Sequence, residues 1–266
     1  MRREVLDRLG APDASLSRIS APRATLTRVD QRLASLTRMS GLLTPVRHYQ
    51  LITTWEPSYL WLGGVIDKVA GETLTLVAGA TTGPTDGLRP GLLNESRFRF
   101  AAPAQAAEAT DSTLLDAPPV SHAMVVVFRL SLPIFLSGLG GKRELGPSFR
   151  GWEIGITPQG RINFLYEADT SAIIQLTQPY SDGAWHVLVA VIDRSANTFT
   201  IASELESTSA PLPAGSAAHS VPAALGRQRR LAAPHDNALF SWQTGAQVEQ
   251  IAPILVAQNL AAELIA

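Results

Sequence analysis

Carboxylates held at a fixed separation are the first chemistry to look for, because a glycosidase needs two of them across a cleft. Glu204 and Glu206 stand two residues apart in the segment SELES, so a strand there would place both on one face. No further acid lies between them, and a segment rich in Ser and Pro follows. We therefore expect a solvated strand face, no catalytic residue, and a protein that is not an enzyme.

Histidine, cysteine and glycine motifs indicate no other reaction chemistry. The five histidines are His48, His122, His186, His219 and His235. No two of them have the spacing of a metal-binding pair, and the absence of cysteine excludes thiolate ligands and disulfides. The glycine-rich segment GLGGKR at 138–143 lacks the spacing of a phosphate loop and predicts a hairpin loop. We expect no metal site and no cofactor.

Aromatic residues are the remaining candidates for a binding site, because a flat ring stacks well on the apolar face of a sugar. The candidate glycan-binding residues are Trp55, Trp61, Trp152 and Trp242. A position in the hydrophobic core is the alternative for each of them.

The elements that would position these residues are short apolar runs after residue 45. Some alternate with period two, as in RINFLYEAD, where Ile162, Phe164 and Tyr166 share a face, whereas VLVAVI at 187–192 is apolar throughout. The predicted strands span 48–55, 72–79, 124–132, 151–156, 161–169, 172–178, 185–193 and 198–205. Loops are predicted at 80–95, 101–122 and 207–224, and a short terminal turn at 259–266. This pattern predicts an all-β sandwich or jelly roll in one domain, residues 46–266.

Charge separates the first 47 residues from the rest. This segment holds nine Arg and four acids, without Lys or an aromatic residue, although the whole chain has a net charge of −1. The overall balance gives no attraction to nucleic acid or to an anionic membrane, and no apolar run approaches the roughly 18 residues of a membrane helix. We expect neither partner and no signal peptide.

A ten-residue unit recurs four times in this basic segment: LDRLGAPDAS, LSRISAPRAT, LTRVDQRLAS and LTRMSGLLTP. One continuous helix would rotate its apolar stripe by about 80° per unit, and Pro12 and Pro22 would interrupt it. We predict instead a ribbon of short turns over residues 1–45, whose apolar layers are buried when three chains meet around an axis. The residues of this trimeric anchor are Leu6, Arg8, Leu9, Leu16, Arg18, Ile19, Leu26, Arg28, Val29, Leu36, Arg38 and Met39. A flexible basic tail is the alternative.

Both parts resemble known families. The repeat is similar to the N-terminal regions of bacteriophage tail fibres and capsid decoration proteins, in which units such as L-D-x-x-[IV]-S-x-R precede a globular head. The segments GWEIGITPQGRINFLYEAD, SDGAWHVLVAVIDRSANTFTIASELES and QVEQIAPILVAQNLAAELI resemble a hairpin, the W-H strand and the closing strand of laminin-G-like, or concanavalin A-like, jelly rolls. The resemblance implies that Trp185 is a core residue and His186 a partly buried hydrogen-bonding group.

These resemblances imply a structural virion protein. A homotrimer would be held by residues 1–45 to the major capsid or tail protein, with its jelly roll outward, in a virion assembled in the host cytoplasm. A glycan-binding lectin module, on a host-recognition fibre or a cell-surface adhesion protein, is the alternative. Because some laminin-G-like domains bind calcium, Ca²⁺ at Asp67, Asp86, Asp169 and Asp193 is the alternative to having no cofactor.

Overall fold

The computed structural model describes part of the chain. The described residues are 59–61, 73–84, 88, 96–101, 105–109, 120–131, 137–143, 150–215, 224–225, 235–244, 248 and 251–265. The predicted stalk over residues 1–45 and the predicted strand at 48–55 lie outside them. Within this part, no helix has the length and apolar character needed to cross a membrane.

The described residues form strands and one α-helix. The strands are β1 (Tyr59–Trp61), β2 (Thr75–Val77), β3 (Thr81–Pro84), β4 (Ser96–Phe100), β5 (Ala106–Glu108), β6 (His122–Ser131), β7 (Ser137–Arg143), β8 (Gly151–Ile156), β9 (Ile162–Glu167), β10 (Ser171–Gln175), β11 (Asp182–Asp193), β12 (Thr198–Ser203), β13 (Ser207–Pro211), β14 (Ala224–Leu225) and β15 (His235–Thr244). The helix, α1, spans Pro253–Leu264.

The strands make two antiparallel sheets. The first has the order β13-β12-β11-β6-β15-β4-β3, with β1 also paired to β15, and the second has the order β10-β9-β8-β7-β14-β5-β2. Strands far apart in sequence, such as β6 and β15, are neighbours, so the chain crosses between sheets repeatedly as in a jelly roll. The protein is therefore an all-β sandwich, as the sequence predicts.

The main core lies between the two sheets. Ile162, Phe164 and Tyr166 of β9 point into it without exposed surface, which confirms the alternation predicted for this strand. From the first sheet, Phe199 meets Phe164 edge to face, with ring centroids 5.5 Å apart. Each such side chain contributes about 1.5–3 kcal/mol through removal of apolar surface from water.

A second apolar layer covers the other side of the first sheet. Strand β11 is apolar on both faces because both are buried: Leu188 points between the sheets and Val189 points into the second layer. Helix α1 begins at Pro253, where proline suits the first helical turn, and it packs on this layer. Its buried residues are Val256, Ala257, Leu260 and Leu264.

Several predictions about local structure are wrong. The segment 138–143, predicted as a hairpin loop, forms most of β7; its glycines allow β8 to approach closely, since a Cβ on Gly141 would lie 3.0 Å from the carbonyl oxygen of Trp152. Strands β3, β5 and β13 and the first residue of β14 occur in predicted loops, and β13 needs few apolar residues because it is an edge strand. The segment QVEQIAPILVAQNLAAELI, which resembles a closing strand, contains α1, and the predicted turn at 259–266 begins inside this helix, which starts six residues earlier.

Candidate functional site

Strands β8, β9 and β10 of the second sheet position the candidate site. Residues that point into the core alternate in each strand with residues on the outer face. The register places Glu153 beside Leu165 and Leu165 beside Ile173, and it places Asn163 beside Gln175. We name these five residues the outer-face cluster.

Exposure within the outer-face cluster increases toward the edge strand β10. The side chain of Glu153 is 18 % exposed, Asn163 and Leu165 are half-buried, and Ile173 is 58 % exposed. Gln175 is also exposed. Each amide offers two N–H donors and a carbonyl acceptor, while the leucine and isoleucine offer apolar surface. This combination fits a ligand that carries both hydroxyl groups and apolar C–H faces.

Arg143 on β7 anchors the buried end of the outer-face cluster. It donates to Glu167 through Nε and Nη2, the latter 2.6 Å from Oε1, and its Nη1 lies 3.2 Å from Oε2 of Glu153. The Arg143 side chain is only 6 % exposed. Burial raises the pKa of Glu153, and nearby Glu167 adds to this shift while Arg143 opposes it. The ion triad therefore orients Glu153 and ties three neighbouring strands together.

A second polar cluster lies at the start of β11. His186 contacts Oε1 of Glu204 through Nδ1 at 2.6 Å and Oδ1 of Asp182 through Nε2 at 2.9 Å. His186 is 6 % exposed, and Trp185 is 4 % exposed within the second apolar layer, which confirms both predictions. Glu204 also accepts the backbone N–H of Val187 at 3.1 Å.

Glu206 lies near this second polar cluster, because it contacts Tyr180, whose ring packs against His186. It accepts hydrogen bonds from the backbone N–H and hydroxyl of Thr177, the backbone N–H of Gln178 and the hydroxyl of Tyr180. Burial raises the pKa of Glu206, but these hydrogen bonds outweigh it and the pKa is lowered. The predicted solvated strand face at Glu204 and Glu206 is wrong, because the segment forms the turn between β12 and β13 and both carboxylates are engaged.

The predicted sugar-stacking tryptophans do not coincide with the outer-face cluster. Trp152 has no exposed surface and packs in the main core, so the expectation of an exposed ring is wrong and the core alternative holds for it. Trp61 lies in β1 and Trp242 in β15. Their side chains, and all of Trp55, lie outside the part that the structure describes.

The predicted anchor residues of the repeat all lie outside the described ranges, so the trimeric stalk stays a prediction. Among the described residues, no group of three His, Asp or Glu side chains has an arrangement that could hold a metal ion. Asp169 pairs with Arg150 at 3.1 Å, and Asp193 accepts hydrogen bonds within its own turn. Asp67 and Asp86 are not among the described residues.

Comparison with known proteins supports the fold. No protein family and no curated protein matches the sequence. The binding domain of botulinum neurotoxin DC in complex with rat synaptotagmin II has a TM-score of 0.54 at 8 % identity, covering 77 % of this chain and 51 % of that chain. The same domain in complex with SialylT has a TM-score of 0.52 at 8 % identity, covering 77 % and 51 %.

A third similar structure comes from botulinum neurotoxin type C, whose uptake into cells depends on interaction with two ganglioside molecules. It has a TM-score of 0.50 at 9 % identity and covers 73 % of this chain and 48 % of that chain. The chain thus spans about half the length of these structures. At identities of 8–9 %, this likeness shows that the protein shares their β-sandwich fold.

Proposed function

We propose that the β-sandwich is a glycan-binding module that acts by recognition and not by catalysis. The observation that carries this proposal is the outer-face cluster, in which Asn163 and Gln175 stand beside the apolar side chains of Leu165 and Ile173. A sugar needs hydrogen-bonding groups for its hydroxyls and apolar surface for its C–H faces, and this cluster supplies both.

The position of the cluster in the fold supports the proposal. The first sheet buries its outer face under the second apolar layer and helix α1, whereas the strands that carry the cluster belong to the opposite sheet. Because its residues lie on regular strands, their spacing is fixed before a ligand binds, which lowers the entropic cost of binding.

The similar structures support the ligand class. Botulinum neurotoxin DC was solved with SialylT, and the type C neurotoxin interacts with gangliosides. The synaptotagmin II complex shows that a protein ligand also occurs on this fold, and folds in general host many functions. The glycan proposal for this chain therefore relies on its own outer-face cluster and takes only the class of ligand from these neighbours.

We further propose that residues 1–45 form a trimeric stalk that mounts the sandwich on a bacteriophage particle, through the major capsid or tail protein. The fourfold ten-residue repeat supports this part, because one copy of the ribbon leaves its leucines without a core. Three linked sandwiches would bind a glycan-coated host surface with avidity gained from effective concentration. Assembly in the host cytoplasm is consistent with the lack of cysteine.

A glycan array probed with the full chain tests the recognition proposal. We expect a defined set of glycans to bind and to raise the melting temperature, since ligand at about 100 times its Kd stabilises the folded state by about 2.7 kcal/mol. Ile173→Asp should abolish both effects. Leu255→Asp on α1 is a matched control, because Leu255 is 57 % exposed and Ile173 is 58 % exposed. An array without hits, or equal binding by the two variants, would contradict the proposal.

Mass measurement in solution tests the stalk separately. The full chain should have three times its monomer mass of 28.4 kDa, and removal of residues 1–45 should yield a folded monomer. A full-length monomer, or a trimer that persists without the repeat, would overturn the stalk and leave the glycan proposal standing.

A further inference from the structure

The side chain of His186 is enclosed by carboxylates and aromatic rings. Its ring lies edge to face with Tyr180, with centroids 5.1 Å apart, and 5.7 Å from the ring of Phe128 on β6. Its two nitrogens contact carboxylate oxygens of Glu204 and Asp182 at 2.6 and 2.9 Å. The imidazole therefore bridges the turn that follows β12 and the first residue of β11.

Two carboxylate contacts require a charged imidazole. A neutral histidine has one N–H, so it can donate to Glu204 or to Asp182 but not to both. Its second nitrogen would then present a lone pair to a carboxylate, which is repulsive. Only the imidazolium donates in both directions, so the geometry is that of protonated His186.

The charges around His186 favour this state. Asp182 lies on its own strand, Glu204 reaches it from the turn between β12 and β13, and Glu206 lies behind Tyr180, 3.2 Å from the phenol oxygen. Burial alone lowers the pKa of His186, but the hydrogen bonds and charges of Glu204 and Asp182 outweigh it, and the pKa is raised. The same contacts lower the pKa of Asp182 against the effect of its partial burial.

The two halves of the bridge differ in strength. The Glu204 side chain is 15 % exposed, is closer to the ring and is also fixed by the N–H of Val187. The Asp182 side chain is 58 % exposed and begins β11, where the pairing with β6 is irregular between Asp182 and Trp185. When the proton leaves, the remaining N–H should stay with Glu204, and the contact with Asp182 should be the one that breaks.

We propose that His186 and Asp182 form a proton-dependent latch that holds the start of β11, residues 182–184, in mild acid and releases it as the pH rises. Gly183 has φ +79°, Ala184 is exposed, and the pairing of this segment with β6 is limited to Asp182 opposite Ser131. The backbone N–H of Ala184 bonds at 2.8 Å to the same Oδ1 of Asp182 that contacts His186, so loss of the His186 contact should also loosen this local turn and its amide hydrogen bond.

Nuclear magnetic resonance on the full chain tests the latch without any ligand. The His186 ring nitrogens should titrate above the ordinary value of about 6.5, with the neutral form protonated at Nδ1. Amide exchange at residues 183 and 184, corrected for intrinsic rates, should be at least about fivefold faster at about pH 8.5 than at about pH 5.5.

Two substitutions distinguish a latch from a merely buried histidine. Asp182→Asn should lower the His186 titration midpoint and remove the pH dependence of exchange at residues 183 and 184. Asp193→Asn is the control, because Asp193 accepts comparable hydrogen bonds in another turn and should change neither quantity. A His186 midpoint at or below about 6.5, or pH-independent exchange in the unmodified chain, would overturn the latch. His186→Gln provides a second check, since its exchange rates should not vary with pH.

Discussion

His122 shows how strongly one buried side chain can couple stability to pH. It lies on β6 without exposed surface, and burial lowers its pKa to about 3, with Arg194 contributing in the same direction. The unfolded chain takes up a proton near pH 6.5 that the folded chain cannot hold. The free energy of unfolding should therefore fall as the pH drops from about 6.5 toward 3.

Replacing His122 with glutamine should remove this dependence. Relative to the variant, the unmodified chain should lose up to about 1.4 kcal/mol of unfolding free energy per pH unit below pH 6.5, measured by urea titration at several pH values. His186→Gln should change the pH dependence of stability in the opposite sense. Because the pKa of His186 is raised in the folded chain, this residue stabilises the fold fully below about pH 6.5, and its contribution is lost as the pH rises through the folded-state pKa. Parallel pH profiles for the unmodified chain and His122→Gln would contradict this reading.

Glycine is required at position 215 because the chain there approaches Asp169 closely. Its φ is +99°, and an added Cβ would lie 2.4 Å from Cγ of Asp169 and 2.9 Å from the backbone nitrogen of that residue. Gly215→Ala should lower the free energy of unfolding by about 1–3 kcal/mol, measured by chemical denaturation. Gly83→Ala is the control, because an added Cβ there meets nothing within 4 Å, and we expect a change within about 0.5 kcal/mol. Equal losses in both variants would refute the steric explanation.

Predictions for single residues are confirmed where a recognised motif, here the W-H segment, fixes the position of the residue in the fold. Trp185 and His186 occupy the buried positions that the W-H segment implies. The roles of Glu204 and Asp182 could not be predicted in the same way, because the turn after β12 brings Glu204 to a ring 18 residues away in sequence. Period-two spacing indicates a shared strand face only where a strand continues, and a turn ends β12 at Ser203.

At the scale of elements, the buried ion triad of Arg143, Glu153 and Glu167 connects β7, β8 and β9. Arg143→Met should destabilise the fold by about 3–5 kcal/mol, because it leaves two carboxylates on a largely buried surface without their cation. Arg150→Met is the matched control: its ion pair with Asp169 is exposed, with side chains 38 % and 62 % accessible, and should contribute less than about 1 kcal/mol. Chemical denaturation measures both losses, and similar values would show that the triad is not a buried cross-link.

Strands with alternating or continuous apolar residues could be predicted from sequence, whereas glycine-rich and polar strands could not. GWEIGI at 151–156 coincides with β8, and β9 and β11 lie where their patterns place them. Strand β7 is mostly glycine and basic residues. Its glycine content allows β8 to pack closely against it, and no local sequence pattern reveals this contact. Helix α1 was missed apart from a terminal turn, although its buried residues recur every three to four positions after Pro253.

The candidate site, too, could be predicted from sequence only in part. The alternation in β9 predicts that Asn163 shares a face opposite to the core residues, but its neighbours on that face come from the pairing of β9 with β8 and β10. An aromatic ring serves as a sugar platform only where it is exposed, and Trp152, one of the four candidates, fills the core instead. Sheet register, which depends on long-range pairing, is the information that was missing.

At the scale of the whole molecule, this protein shares its fold with the similar structures but very little of its sequence. No family matches the sequence, yet the β-sandwich superposes on neurotoxin binding domains at identities of 8–9 %. Two chains can share a burial pattern at low identity because many apolar residues satisfy it, whereas ligand contacts need particular side chains. Function therefore has to be tested on this chain's own surface.

Calorimetric titration of a glycan selected from the array tests recognition by the outer-face cluster most directly. The double variant Asn163→Ala/Gln175→Ala should bind at least about tenfold more weakly than the unmodified chain, because two lost hydrogen bonds together exceed about 1.4 kcal/mol. Gln258→Ala, which removes an exposed amide from α1, should retain the original affinity. Equal affinities for all three proteins would contradict the account, since the glycan would then bind elsewhere.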